Sequence, residues 1–147
     1  MIRILLVDDH TLLREALRLV LEQDSELQVV AEAGDGQTAL RRVDEHLPDA
    51  VVMDVALPGL SGIETTQRLL AKHPGIKVLA LSFHLDLSII QQMLEAGAHG
   101  YIVKSAAATE LKQGIRSVIE GRSYLCPEAA ALVTDRLRVR KNWLCHC

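Results

Sequence analysis

Aromatic residues are scarce in this chain of 147 residues, which has one Trp, one Phe and two Tyr. Its core must therefore be built from Leu, Val, Ile and Ala. Cysteine is also rare, and three residues, an odd number late in the chain, do not make a disulfide framework. No uninterrupted apolar run approaches the roughly 20 residues that a membrane-spanning helix needs. These absences argue against a small disulfide-stabilised domain and against an integral membrane protein.

Charge of either sign is moderate but unevenly distributed. Residues 1–133 hold 12 basic and 18 acidic residues, whereas residues 134–147 hold four basic residues and one acidic residue. The acidic main body is therefore not expected to bind nucleic acid through its overall charge. The N-terminal segment MIRILLVDDH has an apolar stretch of only about five residues before its acids, so we expect no secretory signal and a cytosolic location.

Short apolar runs alternate with longer segments of helical periodicity. Leu12, Leu13, Ala16, Leu17 and Val20, for example, form the apolar stripe of an amphipathic helix. The pattern predicts strands over 2–7, 27–33, 50–53, 76–81 and 100–103, and helices over about 10–22, 36–46, 62–73, 88–96 and 107–120. Strands without regular alternation are usually covered on both faces. The prediction is therefore an α/β fold, a doubly wound parallel sheet of five strands between layers of five helices.

In such a sheet, sites form at the carboxyl ends of the strands. Asp8 and Asp9 follow the first strand, Asp54 the third, Ser82 the fourth and Lys104 the fifth. If the first and third strands are neighbours, three carboxylates converge and raise one another's pKa values, a conflict that a hard cation such as Mg²⁺ relieves. A nucleophilic aspartate, a metal ion and a lysine together suit the transfer of a phosphoryl group to a carboxylate.

These five positions, in this order, resemble the motif of response-regulator receiver domains, over roughly residues 1–122. The segments LPGLSGIE, PGIKVLALS, AGAHGYIVK and EGRSYL are most similar to regulators of the NarL/FixJ type. The resemblance implies a flavodoxin-like, CheY-like sandwich with the strand order 2-1-3-4-5. It also implies a switch that catalyses only its own phosphorylation and dephosphorylation, and no other enzyme activity.

The resemblance assigns roles to the strand-end residues. It implies that Asp54 is the phosphoacceptor. Mg²⁺ and Lys104 would offset the cost of burying the Asp54 carboxylate and hold this group ionised. Asp9 would bind Mg²⁺ directly and Asp8 largely through water, with Asp54 itself and the backbone carbonyl of Ala56 as further ligands. Lys104 would pair with the phosphoryl group, and Pro58 would shape the loop that follows Asp54.

Two further residues are implied to form the switch. Ser82 would move toward the phosphoryl group, and Tyr101 would be the coupled aromatic residue. Phe83 stands where the family often has a small residue, so we expect it to affect the rate of phosphorylation or dephosphorylation. The implied partners are a sensor histidine kinase or a small phosphodonor and a second copy of the chain in a phosphorylation-dependent homodimer. Control of transcription is the implied output.

Other hypotheses stay open or are disfavoured by particular residues. A phosphate-independent receiver-like interaction module, or a stand-alone signalling receiver, fits the same motif. A hydrolase of the aspartyl-phosphate kind would need a general acid two residues after its nucleophile, where Ala56 stands. A nucleotide or flavin site would need a glycine loop after the first strand, where this sequence has Asp8, Asp9 and His10 instead. His10 and His84 lie near the predicted site, and we expect both at the surface because no other His or Cys clusters with them.

The residues after Gly121 do not contain the helix-turn-helix domain that usually follows in NarL/FixJ regulators. We expect a receiver domain over residues 1–122 and a linker with a short basic helix over residues 123–147, with Pro127 in the first turn of that helix. A truncated regulator, a natural stand-alone receiver and an altered gene end all remain open. DNA would be a partner only through a further domain.

Two features of the tail are tempting as binding sites. Its basic residues are expected to form a solvated helix face rather than a DNA contact; they are Arg136, Arg138, Arg140 and Lys141. The triplet Cys145–His146–Cys147 offers too few ligands, too closely spaced, for a structural zinc site. We expect exposed, oxidisable thiols there.

Overall fold

The computed structural model describes residues 1–135, which form an α/β sandwich around one parallel sheet. The strands are β1 (Ile2–Val7), β2 (Leu27–Ala33), β3 (Ala50–Asp54), β4 (Lys77–Ser82), β5 (Gly100–Val103) and β6 (Tyr124–Leu125). The helices are α1 (Thr11–Glu22), α2 (Gly36–His46), α3 (Gly62–Lys72), α4 (Leu87–Glu95) and α5 (Ala107–Ile119), and residues 127–135 form α6. A 3₁₀ turn, Lys104–Ala106, joins β5 to α5. The predicted flavodoxin-like fold class is confirmed.

The apolar core lies between the sheet and two helix layers. Helix α1 packs against α5 on one face, and α3 packs against α2 and α4 on the other. Every residue of β3 is buried, because its neighbours β1 and β4 cover its edges and helices cover its faces. Burial of each large aliphatic side chain contributes roughly 1.5–3 kcal/mol. The strand order begins β2-β1-β3-β4-β5, as the resemblance implied.

The sheet has six strands, and the prediction of five was wrong. Strand β6 runs parallel to β5 and pairs Tyr124 with Gly100 and Leu125 with Tyr101. Beyond it, Cys126 is fully buried in the core. Two residues at a sheet edge are too few to carry a periodic pattern, so only the pairing partner identifies them as a strand.

Glycine has a steric role at the start of α3. A Cβ atom on Gly62 would lie 2.1 Å from the carbonyl oxygen of Asp54, so only glycine lets this helix approach the end of β3. The Gly62 N–H donates to the Val55 carbonyl at 2.9 Å, and the Ser61 side chain caps α3 by accepting from the Glu64 N–H. The loop after Asp54 is thereby held against the strand end.

No helix among residues 1–135 is both long and apolar enough to cross a membrane. The basic tail residues and the Cys145–His146–Cys147 triplet lie outside the described residues.

Candidate functional site

The strand-end residues predicted from the sequence meet at one edge of the sheet. Asp8 follows β1, Asp54 ends β3, Ser82 ends β4, and Lys104 follows β5. These four side chains are buried, although each is polar or charged. Asp9 lies beside Asp8 and is exposed. The adjacency of β1 and β3, on which the predicted convergence depended, is present.

Lys104 lies between two of the carboxylates. Its Nζ atom is 2.9 Å from Asp8 Oδ2 and 3.0 Å from Asp54 Oδ2, and its side chain is only 2% exposed. One buried ammonium thus faces two buried carboxylates, so the pair of acids carries more negative charge than Lys104 can balance. Unbalanced buried charge is costly. This edge of the sheet therefore favours a further positive group.

Burial changes the ionisation of Asp54. Loss of solvent raises the pKa of its carboxyl group to about 6, and the nearby Asp8 charge acts in the same direction. Lys104 lowers the pKa, as does the Ala56 N–H, which donates to Asp54 Oδ1 at 3.1 Å. Lys104 thus offsets burial only in part, whereas the sequence prediction had the lysine and Mg²⁺ together hold Asp54 ionised.

The carboxylates form a cluster of a size that suits a metal ion. Ligand atoms of Asp8, Asp9, His10 and Asp54 all lie within 4.8 Å of one another. Three carboxylates are a set of hard oxygen ligands, which fits Mg²⁺. The location of the Ala56 carbonyl as a further ligand stays a prediction.

His10 contacts the acidic cluster, which the sequence did not indicate. Its side chain is exposed, as expected, but Nδ1 lies 3.2 Å from both Asp8 Oδ1 and Asp9 Oδ1. The backbone N–H of His10 also donates to Asp8 Oδ1 at 2.8 Å. A lone histidine after a strand carries no signal of such contacts, because they depend on how the β1–α1 loop turns.

The backbone of His84 joins the two residues proposed as the switch. Its N–H donates to Ser82 Oγ at 3.1 Å, and its carbonyl accepts from the Tyr101 hydroxyl at 3.0 Å. The Tyr101 ring is fully buried, and this burial raises the pKa of its hydroxyl. Ser82 and Tyr101 are therefore connected through one loop residue.

Phe83 borders the site from the solvent side. Its ring is 60% exposed, yet its centroid lies 4.4 Å from Lys104 Nζ and 5.8 Å from the His10 ring, at an interplanar angle of 82°. The cation–π contact covers one side of the buried ammonium. Phe83 also lines an open apolar groove of about 530 Å³, together with Leu12, Leu13 and other residues of α1 and the β5–α5 turn.

Arg14 also contacts this edge of the sheet, which the sequence did not indicate. Its guanidinium reaches from α1 to the Asp8 carbonyl oxygen, with a distance of 2.6 Å from Nη1. The residue lies within a helix that contains other arginines, and nothing in the spacing separates it from them. Only the packing of α1 against the end of β1 identifies the contact.

Comparison with known proteins agrees with this geometry. Residues 4–116 match the family described as the response regulator receiver domain. A solved two-component response regulator of the LuxR family from Aurantimonas is 38% identical, with a TM-score of 0.89, and the match covers 93% of this chain and 99% of that one.

Two curated relatives are longer than this chain. Response regulator GacA of Pseudomonas viridiflava is 42% identical over 130 residues, which are 88% of this chain and 61% of that protein. Transcriptional regulatory protein DegU of Brevibacillus brevis is 37% identical over 127 residues, which are 86% and 54%. The chain thus spans a little over half the length of these relatives. From its fold, its acidic edge and these matches, we conclude that the chain belongs to the response-regulator receiver domain family, with relatives of the NarL/FixJ and LuxR type.

Proposed function

We propose that Asp54 accepts a phosphoryl group and that this receiver acts as a phosphorylation-controlled switch. The observation that carries the proposal is the buried contact of Lys104 with both Asp54 and Asp8 at the carboxyl end of the sheet. It supplies a nucleophile and a fixed positive charge in one water-poor site. Positioning and electrostatics of this kind account for most of the catalysis of phosphoryl transfer.

The chain's own residues would perform the transfer as follows. A carboxylate oxygen of ionised Asp54 attacks phosphorus, and the bond from phosphorus to the donor breaks, so that its electron pair leaves with the donor. Lys104 neutralises charge that builds on the phosphoryl oxygens. The Ala56 N–H holds Asp54 Oδ1 and so orients the nucleophile. Asp8, Asp9, Asp54 and the Ala56 carbonyl would hold Mg²⁺, which when bound supplies further neutralisation of the phosphoryl oxygens.

The output would begin at Ser82 and Tyr101. The Ser82 hydroxyl would turn toward the new phosphoryl oxygens, and the shared His84 backbone would pass that change to Tyr101. Tyr101 pairs with Leu125 of β6, so a shift of β5 would also move β6, which lies in the segment after residue 122. Phosphorylation would in this way bias a two-state surface.

The proposal extends to the partners and the output. We propose a sensor histidine kinase as the donor, a phosphorylation-dependent homodimer as the product, a cytoplasmic location, and control of transcription as the output. The name of DegU supports the last of these. We place the receiver domain at residues 1–122 and a linker at residues 123–147, whose first residues are anchored by β6 and Cys126. DNA contact would need a further domain.

Labelling by acetyl phosphate with Mg²⁺ tests the phosphoacceptor. Intact-mass analysis should show one added phosphoryl group on wild type and none on Asp54→Asn. Asp86→Asn is the matched control, because Asp86 lies in the β4–α4 loop and asparagine can replace it as the cap of α4. Absence of labelling in wild type would instead support a phosphate-independent interaction module.

A further inference from the structure

The guanidinium of Arg14 bridges the acidic edge and strand β2. Nη1 donates to the Asp8 carbonyl oxygen at 2.6 Å, and Nε donates to Glu32 Oε1 at 2.9 Å. The Arg14 side chain is only 18% exposed. One rigid, planar group with donors in fixed directions therefore joins the start of the β1–α1 loop to the neighbouring strand.

The carbonyl that Arg14 holds belongs to the peptide unit between Asp8 and Asp9. A peptide unit is planar, so fixing its oxygen also fixes its N–H and the Cα atom of Asp9. The same loop is held at two other points: the Asp8 N–H donates to the Ala33 carbonyl at 3.0 Å, and Asp8 Oδ1 accepts from the His10 N–H at 2.8 Å. Neither of these bonds acts on the Asp8–Asp9 peptide itself.

Glu32 holds Arg14 in place. Its Oε1 atom accepts from Arg14, while its Oε2 atom accepts from Arg18 Nη1 at 2.7 Å. Arg18 also pairs with Glu22 through a 2.6 Å bond from Nε. Arg14 and Arg18 thus lie one helical turn apart on α1 and share one carboxylate. Within the described residues, however, only the Arg14 guanidinium bonds to the Asp8 carbonyl.

From this arrangement we infer that Arg14 is a positioning residue for the divalent cation site: by holding the Asp8–Asp9 peptide, it sets the direction of the two acidic side chains that would bind the cation. This inference rests on the metal site proposed above. Groups that orient metal ligands without touching the metal typically change metal affinity by about 10- to 100-fold when they are removed.

The sign of the expected effect separates positioning from simple electrostatics. Removing a positive charge near a cation site strengthens cation binding, whichever arginine is lost. Loss of positioning weakens it, and only at Arg14. Arg14→Gln should therefore bind Mg²⁺ about tenfold or more weakly than wild type. The matched control Arg18→Gln should bind as wild type does, or slightly more tightly.

The test is a titration of each purified chain with Mg²⁺ alone, with no phosphodonor present. Calorimetry and the NMR chemical shifts of the β1–α1 loop amides monitor the titration and give the affinity of each chain for Mg²⁺. Wild-type affinity in Arg14→Gln, or an equal loss in Arg18→Gln, would overturn the inference. If the wild-type chain itself binds no Mg²⁺, both the proposed metal site and this inference are wrong. That result differs from the two outcomes above, which contradict the inference alone.

Urea unfolding without Mg²⁺ controls for the fold of each variant. Should Arg14→Gln not fold, Arg14→Lys completes the test, because it keeps the positive charge. A lysine cannot hold both the Asp8 carbonyl and Glu32 in fixed directions. Weaker Mg²⁺ binding by folded Arg14→Lys, with unchanged binding in the control Arg18→Lys, would support the inference, and wild-type binding by Arg14→Lys would refute it.

Discussion

Polar side chains at the amino end of the sheet are paired with the backbone, whereas charged side chains at the carboxyl end face one another. At the amino end, Arg3 Nη1 donates to the His46 carbonyl at 2.6 Å, and the Arg3 N–H donates to Asp49 Oδ2 at 2.8 Å. His99 Nδ1 accepts from the Val78 N–H at 3.0 Å. These bonds tie helix ends and loops to the strands, and they need no ligand.

The carboxyl end has the opposite character. Asp8 and Asp54 are both buried, and Lys104 is the one cation between them within residues 1–135. Two buried carboxylates that share one ammonium cost folding free energy. The comparison teaches that one edge of the sheet is closed by hydrogen bonds to the backbone, while the other concentrates charge that its own residues balance only in part.

The largest expected effect comes from removing the lysine. Lys104→Met should lower the free energy of unfolding by about 3 kcal/mol or more, because two buried carboxylates lose their counter-charge. Arg3→Met, at the other edge, should cost only about 1–2 kcal/mol, since it loses hydrogen bonds at a partly exposed helix end. Urea unfolding measures both. Mg²⁺ should restore part of the loss in Lys104→Met alone, and equal losses at the two edges would contradict the comparison.

The next effect concerns the pH dependence of stability. Since the pKa of Asp54 is raised to about 6 in the folded state, that state binds the proton more tightly than the unfolded chain does. The stabilising effect of proton binding at Asp54 is therefore complete at low pH and is lost as the pH rises from about 4 through about 6, by about 2–3 kcal/mol. Asp54→Asn lacks this effect.

Urea unfolding of both proteins at several pH values, without Mg²⁺, isolates the effect of Asp54 on stability. The difference in stability between Asp54→Asn and wild type should grow in favour of the variant as the pH rises. A difference that stays constant with pH would mean that burial does not govern this carboxyl group.

A smaller effect is expected at Phe83, the apolar residue that covers Lys104. Its cation–π contact is worth about 0.5–1 kcal/mol, so Phe83→Ala should change the decay rate of the phosphorylated form about two- to fivefold. We expect faster decay, because water gains access to the ammonium side of the site. The control is Leu85→Ala, another exposed apolar residue of the β4–α4 loop. Equal decay in wild type and Phe83→Ala would contradict the prediction.

The smallest effect lies at the amino edge. Burial and the nearby Lys77 charge lower the pKa of His99, whose Nδ1 must stay unprotonated to accept from Val78. The unfolded chain therefore takes up the proton first, so this contribution is complete above about pH 6.5 and is lost as the pH falls below it. His99→Gln should flatten this part of the stability profile. Lowering the pH thus changes the contributions of Asp54 and His99 to the free energy of unfolding in opposite directions. An increase in the His99 contribution as the pH falls would contradict the comparison.

Much of the fold and of the site could be predicted from local patterns. The alternation of strands and helices is visible in the residue pattern of short segments. The position after each predicted strand then identifies Asp54, Ser82 and Lys104 as candidate site residues without any knowledge of their contacts. The edge strand β6 could not be predicted, because two residues have no periodicity and their partner lies 24 positions earlier in the chain. The mouth of the site was equally hidden, since exposed Phe83 gives no sign that it covers a lysine.

The sequence by itself determined the element order, the fold class and the identity of the acids and the lysine at the strand ends, because these depend on residue type and short-range periodicity. The tertiary structure alone decided how those charges are paired: that Lys104 offsets the burial of Asp54 only in part, that His10 joins the acids, and that Arg14 holds the Asp8 carbonyl. The physical reason is that pKa values, ion pairs and carbonyl contacts depend on distance and desolvation, which arise only when separate strands and helices pack together.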